Sequence, residues 1–192
     1  MKRHIGNSDG HKSKKGHWAL GLLSSMKNKD YLVQSDDRVT MIKDMYPKAL
    51  HHYLVLPNES ISNLKALDKK HLSLLEHMHE FGENYVHKNH PDTNFIFGYH
   101  SEASMHHLHL HVISNDMNSS CLKTKKHWNS FNSDFFLHSK GVIENLKRNG
   151  KVLLPLSEKC KEYLNTPLKC NQCNFSAKNM PGLKTHLLSH VK

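Results

Sequence analysis

No stretch of the chain comes near the roughly 18 consecutive apolar residues of a membrane-crossing helix. The first sixteen residues are polar and basic, without the apolar core of a secretory leader. Cysteine is scarce: Cys121, Cys160, Cys170 and Cys173 are all the chain holds. With no secretory leader they are expected to be reduced, which argues against a disulfide-stapled scaffold. The expected compartment is the nucleus, with the cytosol as the alternative. Acidic residues are also short, 17 Asp and Glu against 27 Lys and Arg, for a formal charge of +10. Such an excess favours a polyanionic partner, nucleic acid first, and no membrane. It is concentrated at Lys2, Arg3, Lys12, Lys14 and Lys15, at Lys123, Lys125 and Lys126, and from Lys147 and Arg148 to the C-terminus. At 192 residues the chain can hold one well-packed domain and a small appendage.

Histidine, by contrast, is abundant, with 19 residues. His107, His109 and His111 recur at a spacing of two, with Leu108, Leu110 and Val112 among them, between Met105 and Ser114. This alternation predicts a half-buried strand, the three imidazoles in a row on one face and the apolar side chains in a core on the other. Its uses are a metal site, a phosphate site, or a nucleophile with helpers. Alternation spaces adjacent same-face residues by about 6.5–7 Å. That is hard to reconcile with three bonds of about 2.0–2.1 Å to one zinc, so no metal is expected at these histidines.

Residues 1–16 lack apolar periodicity and are expected to be a disordered basic tail. Trp18 to Met26 carries helical spacing; Trp18 can pack on the core or, beside basic residues, stack on a nucleobase. Strands are predicted at 31–33, 39–42, 52–56 and 94–98, and a helix over 61–88 with Ser62 or Asp68 as its N-cap. A polar loop is expected to carry Lys123 to Trp128, and a helix to run over 137–149, stopped by Gly150. Sequential antiparallel strands around one long helix, with a C-terminal helix, make an α+β domain running to about residue 152.

A connector over 153–168, with Pro155 and Pro167, leads to Cys170-x2-Cys173-x12-His186-x3-His190. Two thiolates on a turn and two imidazoles one helical turn apart suit a tetrahedral, structural zinc ion. Leu183 can pack beneath the metal, with Phe175 and Met180 compensating for Ala177 at a usual apolar position. A unit this small has little core of its own, so its folding is expected to depend on zinc.

The parts together resemble the histidine-triad (HIT) superfamily, marked by His-x-His-x-His followed by apolar residues. Within it the chain is most similar to DNA deadenylases that join a HIT domain to a C-terminal zinc finger. The likeness is carried by Lys43 to Ala49, Tyr53 to Pro57, Gly98-Tyr99-His100, Ser104-Met105 and Lys125 to Phe131. Leu50 and His51 depart from a stretch that is basic and aromatic in those proteins. The resemblance implies a HIT-like antiparallel sheet over 17–152, then a connector and finger over 153–192.

It further implies His109 as the nucleophile that forms a covalent His-AMP intermediate, and His107 as the residue that orients it. His111 would donate to a phosphate oxygen, and His100 would assist the leaving group. Ser104, Lys126, Asp44 and Lys48 would bind substrate, Asp44 at the ribose, and His52 would support the triad from below. Trp18 would wedge against the base pair exposed at a nick. The implied substrate is nicked or broken duplex DNA bearing a 5′-adenylate, RNA-DNA junctions included, with AMP as product and a monomer as the working form. No forkhead-associated domain accompanies these residues, so phosphopeptide docking is not expected.

Two other readings stand beside this one. The first is a general nucleoside phosphoramidase or dinucleoside polyphosphate hydrolase of the same superfamily. The second is a non-catalytic zinc-finger DNA-binding protein. A single finger reads only about three base pairs, and the triad would be left without a use.

Overall fold

The protein is described by a computed structural model covering residues 21–190, so Trp18 and the 1–16 tail lie outside the described residues. Six strands form one antiparallel sheet in the order β1-β2-β3-β5-β4-β6. They are β1 (Leu32–Ser35), β2 (Val39–Lys43), β3 (His52–Pro57), β4 (Phe95–His100), β5 (Leu110–Ser114) and β6 (Phe136–His138). The helices are α1 (Gly21–Met26), α2 (Leu72–Asn89), α3 (Lys125–Asn129), α4 (Ser139–Asn149), α5 (Ser157–Leu164) and α6 (Met180–Leu187). A short hairpin, β7 (Leu168–Lys169) with β8 (Ser176–Ala177), precedes α6. The architecture is α+β, as expected, and none of the described helices is long and apolar enough to cross a membrane.

The side chains of β2, β3 and β5 alternate between the two faces of the sheet, and both faces are buried. On the back of the sheet Met41, Val55, Leu110 and Val112 meet Leu75 and Met78 of α2 and Val142 and Leu146 of α4. Gly82 lets α2 sit close: a Cβ there would lie 2.9 Å from a Val112 methyl. The front carries two smaller cores. Ile42, Leu54 and Leu56 pack with Leu22 of α1, while Ile113, Phe136, Trp128 and Phe131 pack with Leu168, Met180, Leu183 and Leu187 of the finger. The finger therefore shares its core with the sheet.

Several local expectations change. The helix predicted over 61–88 begins only at Leu72. Asn63 and Asp68 each cap a separate 3₁₀ turn, Asp68 in a reciprocal capping box with His71. Lys125 to Asn129 is a helix rather than a loop, because the Thr124 side chain accepts from the His127 N–H. The helix predicted from 137 starts at Ser139, since Phe136 to His138 pair with β4 instead. Within the connector, residues 157–164 are helical.

Candidate active site

The row of three histidines on one strand face is corrected by the structure. Strand β5 begins at Leu110, so of the three only His111 lies in the sheet. His107 has a φ of 89°, and its N–H and that of Leu108 pair with Ser62 and Ile61 carbonyls. The segment is thus held by the loop before α2 rather than by a neighbouring strand. Leu108 still enters the back core beside Leu110 and Val112, but the three histidines are buried as well, so the stretch is fully rather than half buried.

His107, His109 and His111 are all buried, and their hydrogen bonds assign the ring protons. His109 Nδ1 lies 2.8 Å from the His107 carbonyl oxygen. A carbonyl only accepts, so Nδ1 carries the hydrogen and Nε2 keeps its lone pair. The His107 ring donates from Nε2 to the Pro57 carbonyl at 2.8 Å. His107 therefore orients its neighbour through its backbone, while its side chain anchors that backbone.

A second chain of bonds runs beneath His111. The Lys48 N–H donates to His52 Nδ1 at 3.2 Å, and His52 Nε2 lies 3.0 Å from His111 Nδ1. A backbone N–H can only donate, so His52 carries its proton on Nε2 and gives it to His111 Nδ1. The Asp44 carboxylate, 3.5 Å from His52 Nδ1, is then a neighbouring charge rather than an acceptor. His111 is left with its proton on Nε2, an atom that is buried with no partner.

Burial keeps these rings neutral. It lowers His109, pushes His111 well below the ordinary imidazole value, and brings His52 to about 4 and His100 to about 3. His100, at the end of β4, packs at a tilt 4.4 Å from His111 by ring centroids and lies against Phe131 at 4.7 Å and Phe135 at 5.4 Å. Its Nε2 is likewise buried and unpartnered.

These side chains line a cleft of about 670 Å³ on the front of the sheet, to which residues of both front cores contribute. The cleft is lined by His109, His111, His100 and His52 together with Ser104, Lys126, Asp44 and Lys48, so these predicted residues converge on one space. His107 is the exception; it lines a smaller cavity of about 170 Å³ that His100 and His109 also line. Burial lowers the Lys48 ammonium, with Asp44 opposing the shift. Sequence reasoning passed over Phe131 and Phe135, Lys43, Cys121 and His127, and Leu164 of the connector, all of which line the cleft. Phe131 lay inside a quoted stretch, but nothing in its spacing from Lys126 signals that it faces His100.

The ligand atoms of Cys170, Cys173, His186 and His190 all lie within 4.8 Å of one another. Cys173 Sγ is 3.1 Å from His186 Nε2, Cys170 Sγ 3.5 Å from His190 Nε2, and the two Nε2 atoms are 3.2 Å apart. Tetrahedral bonds of about 2.3 Å to sulfur and about 2.0–2.1 Å to nitrogen imply ligand separations of about 3.3–3.8 Å, so the donor set fits zinc. Leu183 is fully buried beneath it, and Phe175 stacks on His186 at 3.9 Å. Donor atoms of Asp44, His52 and His111 also lie within 4.8 Å of one another. There, both His52 nitrogens and His111 Nδ1 are already engaged in hydrogen bonds.

Two families match the chain. The one described as scavenger mRNA decapping enzyme C-term binding covers residues 17–127. The one described as a C2HE / C2H2 / C2HC zinc-binding finger covers 132–192. The Aprataxin of Gallus gallus is 46% identical over 177 residues, 91% of this chain and 55% of that protein. The Aprataxin-like protein of Saccharomyces cerevisiae is 36% identical over 194 residues, 83% of this chain and 87% of that protein. The crystal structure of the aprataxin ortholog Hnt3 in complex with DNA superposes with a TM-score of 0.73. It covers 93% of this chain and 94% of that one at 24% identity, and establishes the likeness of fold. The chain spans about half the length of the vertebrate relatives it matches. Triad, cleft, finger and these likenesses agree over nearly the whole chain, which belongs to the aprataxin family.

Proposed function

We propose that the chain is a hydrolase that removes AMP from 5′-adenylated DNA ends, the product of abortive ligation at strand breaks. The observation that carries this reading is a pair of complementary imidazoles lining one cleft: His109 with a bare Nε2 and His111 with a buried Nε2–H that has no partner. A neutral imidazole nitrogen attacks phosphorus without first losing a proton. In the first step a bond forms between His109 Nε2 and the adenylate phosphorus, and the bond to the DNA 5′-phosphate oxygen breaks. The ring becomes cationic, and its Nδ1–H strengthens its bond to the His107 carbonyl. His111 Nε2–H donates to a phosphate oxygen as charge builds there, and Ser104, Lys126 and Lys48 hold the remaining oxygens. Asp44 accepts from the ribose hydroxyls, and His100 lies on the leaving-group side. Water then attacks the same phosphorus, the N–P bond breaks, and AMP leaves with His109 restored. The other residues of the reading are Trp18, wedged at the nick, and the zinc-loaded finger, gripping backbone. Neither step requires a metal at the triad.

The test is release of AMP from a nicked duplex bearing a 5′-adenylate, with His109→Ala run in parallel. The wild type is expected to release AMP, and the variant to lose at least about 10³-fold in rate, on the scale of removing a reacting group. A wild type inert on adenylated DNA but active on small adenylates would favour the general phosphoramidase reading, and one inert on both would remove the hydrolase reading altogether. The DNA affinity is expected to fall steeply with salt, since it rests on phosphate contacts.

A further inference from the structure

The proton on His111 Nε2 is traced above to one backbone group, the peptide between Pro47 and Lys48. Its N–H donates to His52 Nδ1 at 3.2 Å. Its carbonyl oxygen, on the opposite edge of the same plane, accepts from Ser119 Oγ at 2.5 Å. The ring states of His52 and His111 thus depend on which way this peptide faces. Turned over, it would present its oxygen to His52 Nδ1. His52 would then carry its proton on Nδ1 and accept from His111 Nδ1, and His111 Nε2 would become a bare acceptor facing a substrate phosphate. Catalytic donor and useless acceptor differ by one peptide flip.

The Ser119 carbonyl accepts from the Leu122 N–H at 3.2 Å within its own loop, and the finger adds a second hold. Lys184, on α6 two residues before the ligand His186, donates from Nζ to the Ser119 carbonyl at 2.8 Å and to the Leu122 carbonyl at 3.3 Å. No carboxylate pairs with it among the described residues. Its ammonium is therefore committed to the two carbonyls of a loop that also delivers Cys121 and Lys123 to the cleft. The Ser119 hydroxyl also accepts from the Cys121 N–H at 3.1 Å, which fixes its own direction toward Pro47.

We propose that Ser119 and Lys184 are positioning residues that lock the Pro47–Lys48 peptide and thereby keep His111 a phosphate donor. The catalytic half of the proposal rests on the hydrolase reading above; the structural half does not. The finger, on this view, acts on the chemistry of any adenylate and not only on DNA.

The experiment uses the full, zinc-loaded chain labelled with ¹⁵N, and reads the His52 and His111 ring tautomers by long-range proton–nitrogen correlation without substrate. Wild type is expected to show a single Nε2–H form for both rings. Ser119→Ala and Lys184→Met are expected to give mixed or inverted shifts at both. Their turnover of a small adenylate, adenosine 5′-phosphoramidate, is expected to fall by about 10–100-fold with KM nearly unchanged, the usual scale for a residue that orients a reacting group. Lys184→Arg, which keeps the donors, should restore both readouts. A Ser119→Ala protein with wild-type ring shifts overturns the proposal, as does a Lys184→Met protein impaired on adenylated DNA alone. Should Lys184→Met fail to fold or to retain zinc, Ser119→Ala decides, since it removes one hydroxyl from a half-buried loop. A wild type inert on every adenylate would defeat the hydrolase reading while the ring shifts still decide the lock.

Discussion

At His111 the two ring nitrogens meet different surroundings: Nδ1 accepts from His52, and Nε2 is buried without a partner in a ring that lines the cleft. The same side chain on the surface would exchange tautomers freely. Here burial and one backbone N–H choose for it. Burial also sets a pH dependence. His52, His100, His109 and His111 all bind a proton less readily in the folded chain than at the ordinary value of 6.5. Between that value and the folded ones, about 4 for His52, the unfolded chain holds more protons. Their contribution is therefore complete above pH 6.5 and is lost as the pH falls, for His52 toward about 4 and for His100 toward about 3. His52 alone amounts to roughly 3 kcal/mol at one unit per 1.36 kcal/mol. Urea midpoints followed from pH 7.5 to 4.5, with zinc content monitored, should drop across this window before zinc is released. A flat profile would mean that the rings are solvated. Activity should likewise persist below pH 6.5, because the reacting rings remain neutral there.

Among the elements, β2 and β3 are buried on both faces and divide their side chains between the back and front cores, whereas the histidine segment is not a strand before Leu110. His107, Leu108 and His109 are all buried rather than alternately so, and the hydrogen-bond partners of this stretch are Ile61 and Ser62. No local pattern could reveal a partner some 45 residues away. Strand β6 escaped notice for a related reason: Phe136 to His138 is short and gains its ladder only from the far end of β4. Gly98 sits at this junction, where a Cβ would lie 2.5 Å from the Leu137 carbonyl oxygen and 2.6 Å from the Phe136 ring. Gly98→Ala is therefore expected to cost at least about 2–3 kcal/mol, as overpacking against backbone does. The loss should also disturb His100, two residues on. Gly141 in α4, with nothing within 4 Å of an added Cβ, is the opposite case. Gly141→Ala should stabilise by about 0.5–1 kcal/mol through helix propensity. Thermal melts of the two variants should move in opposite directions, and a Gly98→Ala protein as stable as wild type would show that β6 can yield.

For the molecule as a whole, the finger is joined to the sheet by more than a linker. Leu168, Met180, Leu183 and Leu187 share one core with Trp128, Phe131 and Ile113, and Asn171 donates to Asn115 just beyond β5. Zinc binding to finger peptides contributes on the order of 10–16 kcal/mol to their folding, and here that energy also supports the wall carrying Lys126. Chelation, or Cys173→Ser, is expected to lower the melting temperature of the whole chain in a single transition. It should also abolish turnover of small adenylates. Two separate transitions, with small-adenylate activity intact, would mark the finger as an independent module.

The sequence by itself determined the class of fold, the zinc ligand set and the candidate histidines, because these rest on local periodicity and on short ligand spacings. Ser104, Lys126, Asp44, Lys48 and His52 are named only through the resemblance to a known family, and folding brings them to one cleft from positions up to 82 residues apart. Tertiary structure decided the chemical state of each ring. Which nitrogen of His109 or His111 carries the proton depends on a carbonyl at position 107, an N–H at 48, a hydroxyl at 119 and an ammonium at 184. Hydrogen-bond direction is a property of atoms brought together by folding, and the sequence that opened on three equivalent histidines closes on three with different work.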